Sequence, residues 1–322
     1  MRAADVARRV LDALPTVDDR VVVRDRCGRA EFAEAVAAEA RRRGLDPVIE
    51  WRSNEVLVDR LANSTVADWS DEACAARNEF TFDASATVTL GGWQPDLSVV
   101  DPAVTDAWLA ALRRADRRWS ASAMLALAVA VPGPCVAAAL GTTVEALDSL
   151  VLPAVCCPAG DLRAATAMWI GRLAAGERHV LATPGCLLRL NRGGRLLHVD
   201  DGMIDAADTA SAAVVSNLPG GSVYWTVLED AARGDVRLAD GSVLIFGDGG
   251  RVVDGPFAGE RISHLGVGTN PLVGQPLGWT LVDEHRAGAV FLALGENRYM
   301  GGQNTSDVNV DLVLAEATVS VA

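Results

Sequence analysis

Short apolar runs alternate with helical patterns along the first half of the chain. Asp5 to Leu14 carries its apolar residues on one helical face, and residues 28–43 form a helix rich in Ala, Glu and Arg that Gly44 closes. Further apolar runs, typical of buried strands, lie at 20–24, 47–51, 86–90 and 123–131. Further helical patterns lie at 54–78, 105–118, 135–141, 143–150 and 162–175. Strands and helices that alternate at this spacing predict a mostly parallel sheet covered on both faces.

The pattern changes near Gly176. From His179 onward the chain consists of short β-like runs separated by Gly, Asp and Asn, among them HVLAT, CLLRL, SVYWTVL, GAVFLAL and VNVDLVL. This pattern of short strands and turn residues predicts an antiparallel or barrel-like β domain with few helices. We therefore expect an α/β domain over residues 1–176 and a β-rich domain over residues 177–322, with the boundary at 174–178.

The composition is that of a globular chain, with 50 % hydrophobic and 22 % charged residues among 322. The formal net charge is −13, and so negative a field disfavours nucleic acid and anionic membrane surfaces as partners. All 29 residues counted as Lys or Arg are Arg. The chain therefore has no lysine for a phosphate-binding loop, a Schiff base or a general base.

Cysteine usage and hydropathy indicate a cytoplasmic protein. The six cysteines form no C-x-x-C pair, which predicts free thiols in a reducing compartment. The first residues form an amphipathic helix rather than a signal peptide, and the longest apolar run, at 121–131, is too short to span a bilayer. We therefore expect no membrane partner.

Candidate chemistry concentrates in the last hundred residues, although no single motif there is decisive. The chain has 4 His residues and neither an H-E-x-x-H nor an H-x-H motif, so each His taken alone favours a structural role. Ser222 in NLPGGSVYW lacks the second glycine of a nucleophile elbow. Asn309 and Asp311 occupy alternate positions of a strand, so both point to one face and can contact one ligand. A solvated strand face is the alternative interpretation.

Six segments in this order resemble the catalytic half of the aminopeptidase T family of metallopeptidases: TPGCLLRL, RLLHVDDG, NLPGGSVYW, SHLGVGTNP, LVDEHRAGAVFLALG and GGQNTSDVNVDLVL. The resemblance covers about residues 181–315, and the iron-dependent 2,5-dihydroxypyridine 5,6-dioxygenase shares the same order. It implies an α/β N-terminal domain, a β-rich catalytic domain and a homodimer.

Residue by residue, the resemblance implies that most metal-ligand positions are altered. The aminopeptidases carry metal-binding Glu residues where this chain has Ser222 and His264. They carry a His where this chain has Phe291, and a His-x-Asp where it has Asn309 and Asp311. Two divalent ions in one pocket need several carboxylates and imidazoles, and a phenyl ring has no lone pair to offer. These changes disfavour an active two-metal aminopeptidase.

The dioxygenase branch implies a different metal site. Its iron-binding His corresponds to His264, its second His to Asn309 and its carboxylate to Asp311. Fe(II) usually binds to two His and one carboxylate, and here His285 would have to replace the missing imidazole. One Fe or Zn ion bound to His264 and Asp311 therefore stays open as an alternative, in an oxygenase or a hydrolase.

We expect a degenerate aminopeptidase T-like protein without a cofactor, which binds a peptide or a small aromatic molecule. An accessory role in peptide natural-product biosynthesis is our interpretation of that ancestry. The mononuclear metal enzyme and the active metalloaminopeptidase are the alternatives. The predicted ligand pocket comprises Ser222, Tyr224, Trp225, Asn270, Phe291 and Asn309, with Trp279 as a further aromatic wall. In an enzyme, Tyr299 and Glu284 are the catalytic candidates, with Glu229 and Glu296 as other possible bases.

Overall fold

A computed structural model of the chain describes residues 2–15, 20–77, 79, 84–93, 95–120, 124–205, 215–228, 232–306 and 308–322, with residues 116–120, 215 and 299 described by their backbone alone. Two compact units form, one from the residues up to Cys156 together with the strand at Val215–Leu218, the other from most of the chain after Cys156. Within the described residues, no helix combines the length and the apolar character that a membrane span requires.

The helices are α1 Ala3–Ala13, α2 Ala30–Arg42, α3 Asn54–Ala62, α4 Asp71–Ala76, α5 Pro102–Ser120, α6 Pro134–Ala139, α7 Val144–Val155, α8 Ala159–Leu173 and α9 Thr280–Asp283. The strands are β1 Arg20–Asp25, β2 Asp46–Trp51, β3 Ala86–Leu90, β4 Leu125–Val129, β5 Arg178–Thr183, β6 Cys186–Asn191, β7 His198–Asp200, β8 Val215–Leu218, β9 Ser222–Thr226, β10 Arg233–Arg237, β11 Val243–Phe246, β12 Ile262–Gly268, β13 Val290–Gly295, β14 Asn309–Val313 and β15 Thr318–Val321. Short 3-10 helices lie at Val66–Trp69, Asp248–Gly250 and Arg298–Met300.

The N-terminal unit contains the predicted parallel sheet, with strand order β2-β1-β3-β4-β8. Val21, Val22 and Val23 of β1 are all fully buried, as expected of a strand covered on both faces. The helical pattern at 54–78 breaks into three pieces because Thr65 and Ser70 each cap a new helical start: the Thr65 N–H donates to Asp68 at 2.7 Å, and the Ala73 N–H donates to Ser70 at 3.2 Å.

The C-terminal unit contains the predicted antiparallel sheets. One has the order β11-β10-β6-β5-β15 and the other the order β14-β13-β12-β9-β7. Buried residues of both sheets form one hydrophobic core, including Leu181, Leu188, Val236, Trp225, Leu265 and Leu292. A bridge between Leu238 and Leu314 links the chain beyond β10 to the chain beyond β14.

The two units divide at Cys156, earlier than the boundary expected near residue 176. The reason is that α8 belongs to the C-terminal unit: Leu173 is part of its core, and Trp169 and Ile170 pack against that core. The chain then returns to the N-terminal unit to add β8 beside β4.

Candidate functional site

One sheet of the C-terminal unit carries polar side chains on one of its sides. His264 on β12 is opposite Thr226 on β9 and Ala293 on β13, and Ala293 is in turn opposite Asp311 on β14. Directly opposed residues of an antiparallel sheet share a face, so Thr226, His264 and Asp311 lie in one row. We call this side the polar face. The alternate residues form the core face, which includes Trp225, Leu265 and Leu292.

Four rings follow one another across the polar face. His198 stacks on Tyr224 with ring centroids 5.3 Å apart, and Tyr224 lies 5.4 Å from His264. Phe291 meets His264 edge to face at 5.9 Å. The Phe291 ring lies directly over Gly266, since a Cβ placed at residue 266 would come within 2.0 Å of it. The glycine therefore makes room for the phenyl group, and the four rings form a continuous aromatic floor.

A hydrogen-bond chain fixes the His264 ring. The Ser263 hydroxyl donates to the carbonyl of Glu296 at 2.9 Å, and its oxygen lies 3.1 Å from His264 Nδ1. A serine hydroxyl has one hydrogen, so Ser263 accepts from Nδ1–H of the imidazole. Nε2 of the ring then faces Asp311, whose Oδ1 lies 3.3 Å away.

A second His–carboxylate pair lies at the end of α9. Glu284 Oε1 is 3.3 Å from His285 Nε2, and both side chains are buried. Asp283 positions this segment because its carboxylate accepts three backbone N–H groups, from Leu277, Gly278 and Trp279, at 2.7–3.1 Å. Gly268 of β12 allows the close approach, since a Cβ there would come within 2.4 Å of the carbonyls of Glu284 and Arg286.

Burial and charge set the protonation of this pair. Burial raises the pKa of Glu284, and the negative charges of Asp311 and Asp200 raise it further against the opposing effect of His285. Burial acts to lower the pKa of His285, but the contact with Glu284 and the charge of Asp200 outweigh it and raise the pKa. Both groups therefore have raised pKa values in the folded chain, and the pKa of Glu284 depends on the carboxylates of the polar face.

The predicted pocket residues divide between the two faces. Ser222 and Tyr224 lie on the polar face with Phe291, and Asn309 lies there beside Asp311 on β14. Trp225 does not join them, because it points to the core face, is fully buried and packs against His179 with ring centroids 4.8 Å apart.

Asn270 and Trp279 have structural positions. Asn270 is fully buried, its amide donates to the Gly220 carbonyl at 2.8 Å, and its side-chain oxygen accepts from the Leu272 N–H at 2.9 Å. These bonds connect the turn before β9 to the loop after β12. Trp279 is buried at the start of α9.

The candidate bases besides Glu284 have other surroundings. The Glu296 carboxylate accepts hydrogen bonds from Arg298 at 2.8 Å and from the Ser306 N–H at 3.2 Å. These bonds hold the carboxylate in the turn after β13. The side chain of Tyr299 lies outside the described residues, and so does Glu229.

Four residues of the polar face region did not figure in the predicted site: His198, Asp200, Thr226 and Ser263. His198 and Asp200 sit opposite Tyr224 and Ser222 through the pairing of β7 with β9. In the sequence, the alternation in RLLHVD indicates that His198 and Asp200 share a face. The sequence does not indicate the strand with which they pair.

The groups at the positions where the sequence resemblance implies metal ligands do not suit a pair of dications. Ser222 offers a hydroxyl, Phe291 offers no lone pair, and the Phe291 ring fills the centre of the polar face over Gly266. Across the described residues, no three His, Cys, Asp or Glu side chains converge as a metal site.

Comparison with solved structures supports the fold relationship. Wild-type AmpT from Thermus thermophilus matches with a TM-score of 0.70 and 18 % identity, over 98 % of this chain and 94 % of that chain. The 2,5-dihydroxypyridine dioxygenase from Pseudomonas putida KT2440 matches with a TM-score of 0.52 and 12 % identity, over 100 % of this chain and 94 % of that chain. The aminopeptidase T-like fold expected from the sequence is therefore confirmed. No family model and no curated protein matches the sequence.

Proposed function

We propose that this chain is a ligand-binding protein on the aminopeptidase T fold, that it has lost the paired metal centre of that family, and that its ligand is a peptide or a small aromatic molecule. The observation that carries the proposal is the Phe291 ring over Gly266, at the centre of the polar face. A ring at that place puts a buried apolar group where the resemblance implies a metal donor, and the half-buried Tyr224 ring of the same face is left to contact a flat group or a side chain.

The surroundings of this ring support binding. His198, Tyr224 and His264 extend the aromatic surface, and Ser222 and Asn309 add neutral hydrogen-bonding groups at its margins. Asn309 is exposed and Asp311 retains 35 % exposure of its side chain, so the β14 end of the face is accessible to a ligand. We extend the proposal to an accessory role in peptide natural-product biosynthesis.

Cytoplasmic location and a homodimer belong to the same proposal. The six cysteines, all among the described residues, form no disulfide, which suits a reducing compartment. Burial raises the pKa of Cys156 to about 11, and burial with the contact to Glu55 raises that of Cys135 to about 11, so these two thiols stay protonated.

Metal analysis and peptide titration test the binding function together. Protein purified without chelator is measured for Fe, Zn, Co and Mn, and is titrated with short peptides that contain aromatic residues. We expect substoichiometric metal and saturable peptide binding that Tyr224→Leu weakens. Stoichiometric metal would contradict the proposal and favour a metal enzyme. Release of amino acids when Co or Zn is added would favour the aminopeptidase.

A gain-of-function variant sharpens this test. Ser222→Glu with Phe291→His restores two donor types that the family resemblance implies, and should raise affinity for divalent metal above that of the wild type. Leu187→Glu with Ile245→His places the same groups on exposed positions of the other sheet and serves as the control. If the wild type, the Ser222→Glu/Phe291→His variant and the control variant bind metal with equal affinity, the polar face does not retain the geometry of a metal site.

One observation favours a second candidate, a single metal ion at His264 and Asp311. Their nitrogen and oxygen atoms are 3.3 Å apart, and Ser263 holds the ring by its other nitrogen, as partners of metal-binding imidazoles commonly do. An Fe or Zn ion bound there would supply Lewis-acid or redox chemistry. Loss of bound metal in both His264→Ala and Asp311→Ala would establish this candidate instead.

A further inference from the structure

The sheet β11-β10-β6-β5-β15 has one side that points away from the hydrophobic core. Leu181, Leu188 and Val236 of this sheet lie in the core, so the residues that alternate with them face outward. We call this side the outer face. The core that this sheet shares with the other sheet separates the outer face from the polar face.

Four arginines and one aspartate occupy outward positions on these strands. They are Arg178 on β5, Arg189 on β6, and Arg233, Asp235 and Arg237 on β10. Among the described residues, Asp248 alone forms an ion pair with any of the four arginines, on Arg233 at 2.8 Å. The outer face is therefore basic, although the chain as a whole has a net charge of −13.

Three of the arginines lie together at one end of the outer face, and we call them the arginine cluster. Arg189 is directly opposite Arg233 on one side and Val180 on the other, and Val180 is two residues from Arg178 on the same strand. Opposed residues of an antiparallel pair have Cβ atoms about 5 Å apart, and diagonal neighbours are within reach of long side chains. Like charges so arranged repel each other, and an anion bound between them removes that repulsion.

The arginine cluster is accessible from solvent. Arg178 and Arg189 are exposed, and their guanidinium groups pair with no carboxylate of the described residues. The side chain of Arg233 is 75 % exposed beside its partner Asp248. A guanidinium group can bind a carboxylate through two parallel hydrogen bonds, so the cluster is suited to carboxylate groups.

Exposed aliphatic side chains lie beside the arginine cluster on the outer face. Ile245 on β11 is 48 % exposed, and Val243 and Val253 next to it are 38 % and 58 % exposed. Leu187 on β6 is 39 % exposed, and Asp235, which accepts its N–H at 3.0 Å, is opposite Ile245. Exposed apolar groups that arginines adjoin are typical of a surface that contacts another protein.

We propose that the outer face docks a segment of a partner protein in which carboxylates adjoin aliphatic side chains. The arginine cluster binds the carboxylates, and Leu187 and Ile245 contact the aliphatic groups. A second copy of this chain is disfavoured as the occupant, because a symmetric contact would place arginines of the two copies against each other. This surface lies across the core from the polar face and does not depend on the ligand proposed there.

Isothermal titration of the full chain with two matched peptides tests the proposal. The acidic probe is an acetylated and amidated peptide of three Glu followed by Leu-Ser-Leu, and the neutral probe has Gln in place of each Glu. We expect the acidic probe to bind about tenfold more tightly at low salt, because two or three exposed charge pairs form together. Since salt screens exposed pairs, the preference should fall below about threefold at roughly 0.5 M salt.

Matched variants assign the preference to the outer face. Arg189→Gln should remove most of it, because the change takes a charge from the middle of the arginine cluster. Arg41→Gln makes the same change at an exposed position of α2 in the N-terminal unit, and should leave the preference unchanged. Leu187→Ser should weaken both probes alike. These positions are exposed, so thermal unfolding of each variant should stay close to that of the wild type.

Each contrary outcome overturns the proposal in a distinct way. Absence of binding by the acidic probe, equal affinity for both probes, or an equal loss of preference in Arg189→Gln and Arg41→Gln shows that the outer face does not select carboxylates. Tighter binding of a DNA duplex or of phosphatidylserine vesicles, lost in Arg189→Gln, assigns the face to a polyanion. A dimer in light scattering that Leu187→Ser weakens assigns it to a second copy. The ligand-binding proposal is measured separately, by aromatic peptides and Tyr224→Leu.

Discussion

Tyr224 and Trp225 are neighbours in the chain, yet they belong to opposite faces of one sheet. Trp225 is fully buried among Leu265 and Leu292, whereas Tyr224 is part of the ring series between His198 and His264. The core face needs only apolar volume, which many residues can supply. The polar face needs particular groups on particular strands, so its properties depend on cross-strand neighbours. The variants below test that difference.

The largest contrast is expected between the two neighbours themselves. Trp225→Ala should lower the free energy of unfolding by about 3–5 kcal/mol, because it leaves a cavity in the core. Tyr224→Ala should lower it by only about 1 kcal/mol, because the ring is half-buried, and should instead weaken ligand binding. Urea unfolding and titration with an aromatic peptide measure the two effects. Similar losses of stability in both variants would remove the distinction between the faces.

Gly266 and Phe291 form a steric pair on the polar face. Gly266→Ala should lower the free energy of unfolding by about 1–3 kcal/mol, because the new methyl group would overlap the Phe291 ring. Adding Phe291→Leu should recover part of that loss, since the smaller side chain makes room. A double-mutant cycle by urea unfolding measures this coupling. Additive losses would show that the ring lies elsewhere.

Two asparagines of the predicted pocket should behave differently. Asn270→Ala should lower the free energy of unfolding by about 1–3 kcal/mol, because it leaves the buried Gly220 carbonyl and Leu272 N–H without their partner. Asn309→Ala, at an exposed position of β14, should change it by about 0.5 kcal/mol or less. Thermal unfolding compares the two. A large loss for Asn309→Ala would give β14 a structural role beyond the one described.

The smallest expected effect is a pH dependence of stability from Glu284 and His285. Both have raised pKa values in the folded state, so the folded chain binds more protons and loses stability as pH rises. Above the ordinary His value of 6.5, the decline should reach up to about 1.4 kcal/mol per pH unit. Glu284→Gln removes the group that raises the pKa of His285, and should flatten the decline.

The control for this measurement is Glu72→Gln, which neutralises an exposed carboxyl on α4. Its unfolding free energy should keep the wild-type slope at neutral to alkaline pH. An unchanged slope in Glu284→Gln would show that Glu284 does not raise the pKa of His285.

Much of the fold was predictable from the sequence, and less of the site. The valines of β1 and the alternation in β9, β12 and β14 indicate strands because periodicity is a local property. Register is not local: the pairing of His198 with Tyr224 joins strands separated by an excursion of the chain into the N-terminal unit. The prediction that Trp225 lines the pocket was wrong for a related reason. Alternation shows that neighbouring side chains point to opposite faces of a strand, but it does not show which face becomes the core.

Glu284 and His285 illustrate a second limit. Their position beside the polar face depends on Gly268, which lets the backbone of this segment lie directly against β12. A glycine in an apolar strand indicates a close approach without identifying what approaches. The effect of Asp200 and Asp311 on this pair is therefore a property of the folded chain alone.

The single hydrogen of the Ser263 hydroxyl has a further consequence. Because the Glu296 carbonyl takes that hydrogen, the hydroxyl can offer none to His264 and contacts the ring through its oxygen. Ser263 therefore anchors the imidazole at Nδ1, and any contact that a ligand makes with a ring nitrogen of His264 is directed to Nε2, on the side that faces Asp311.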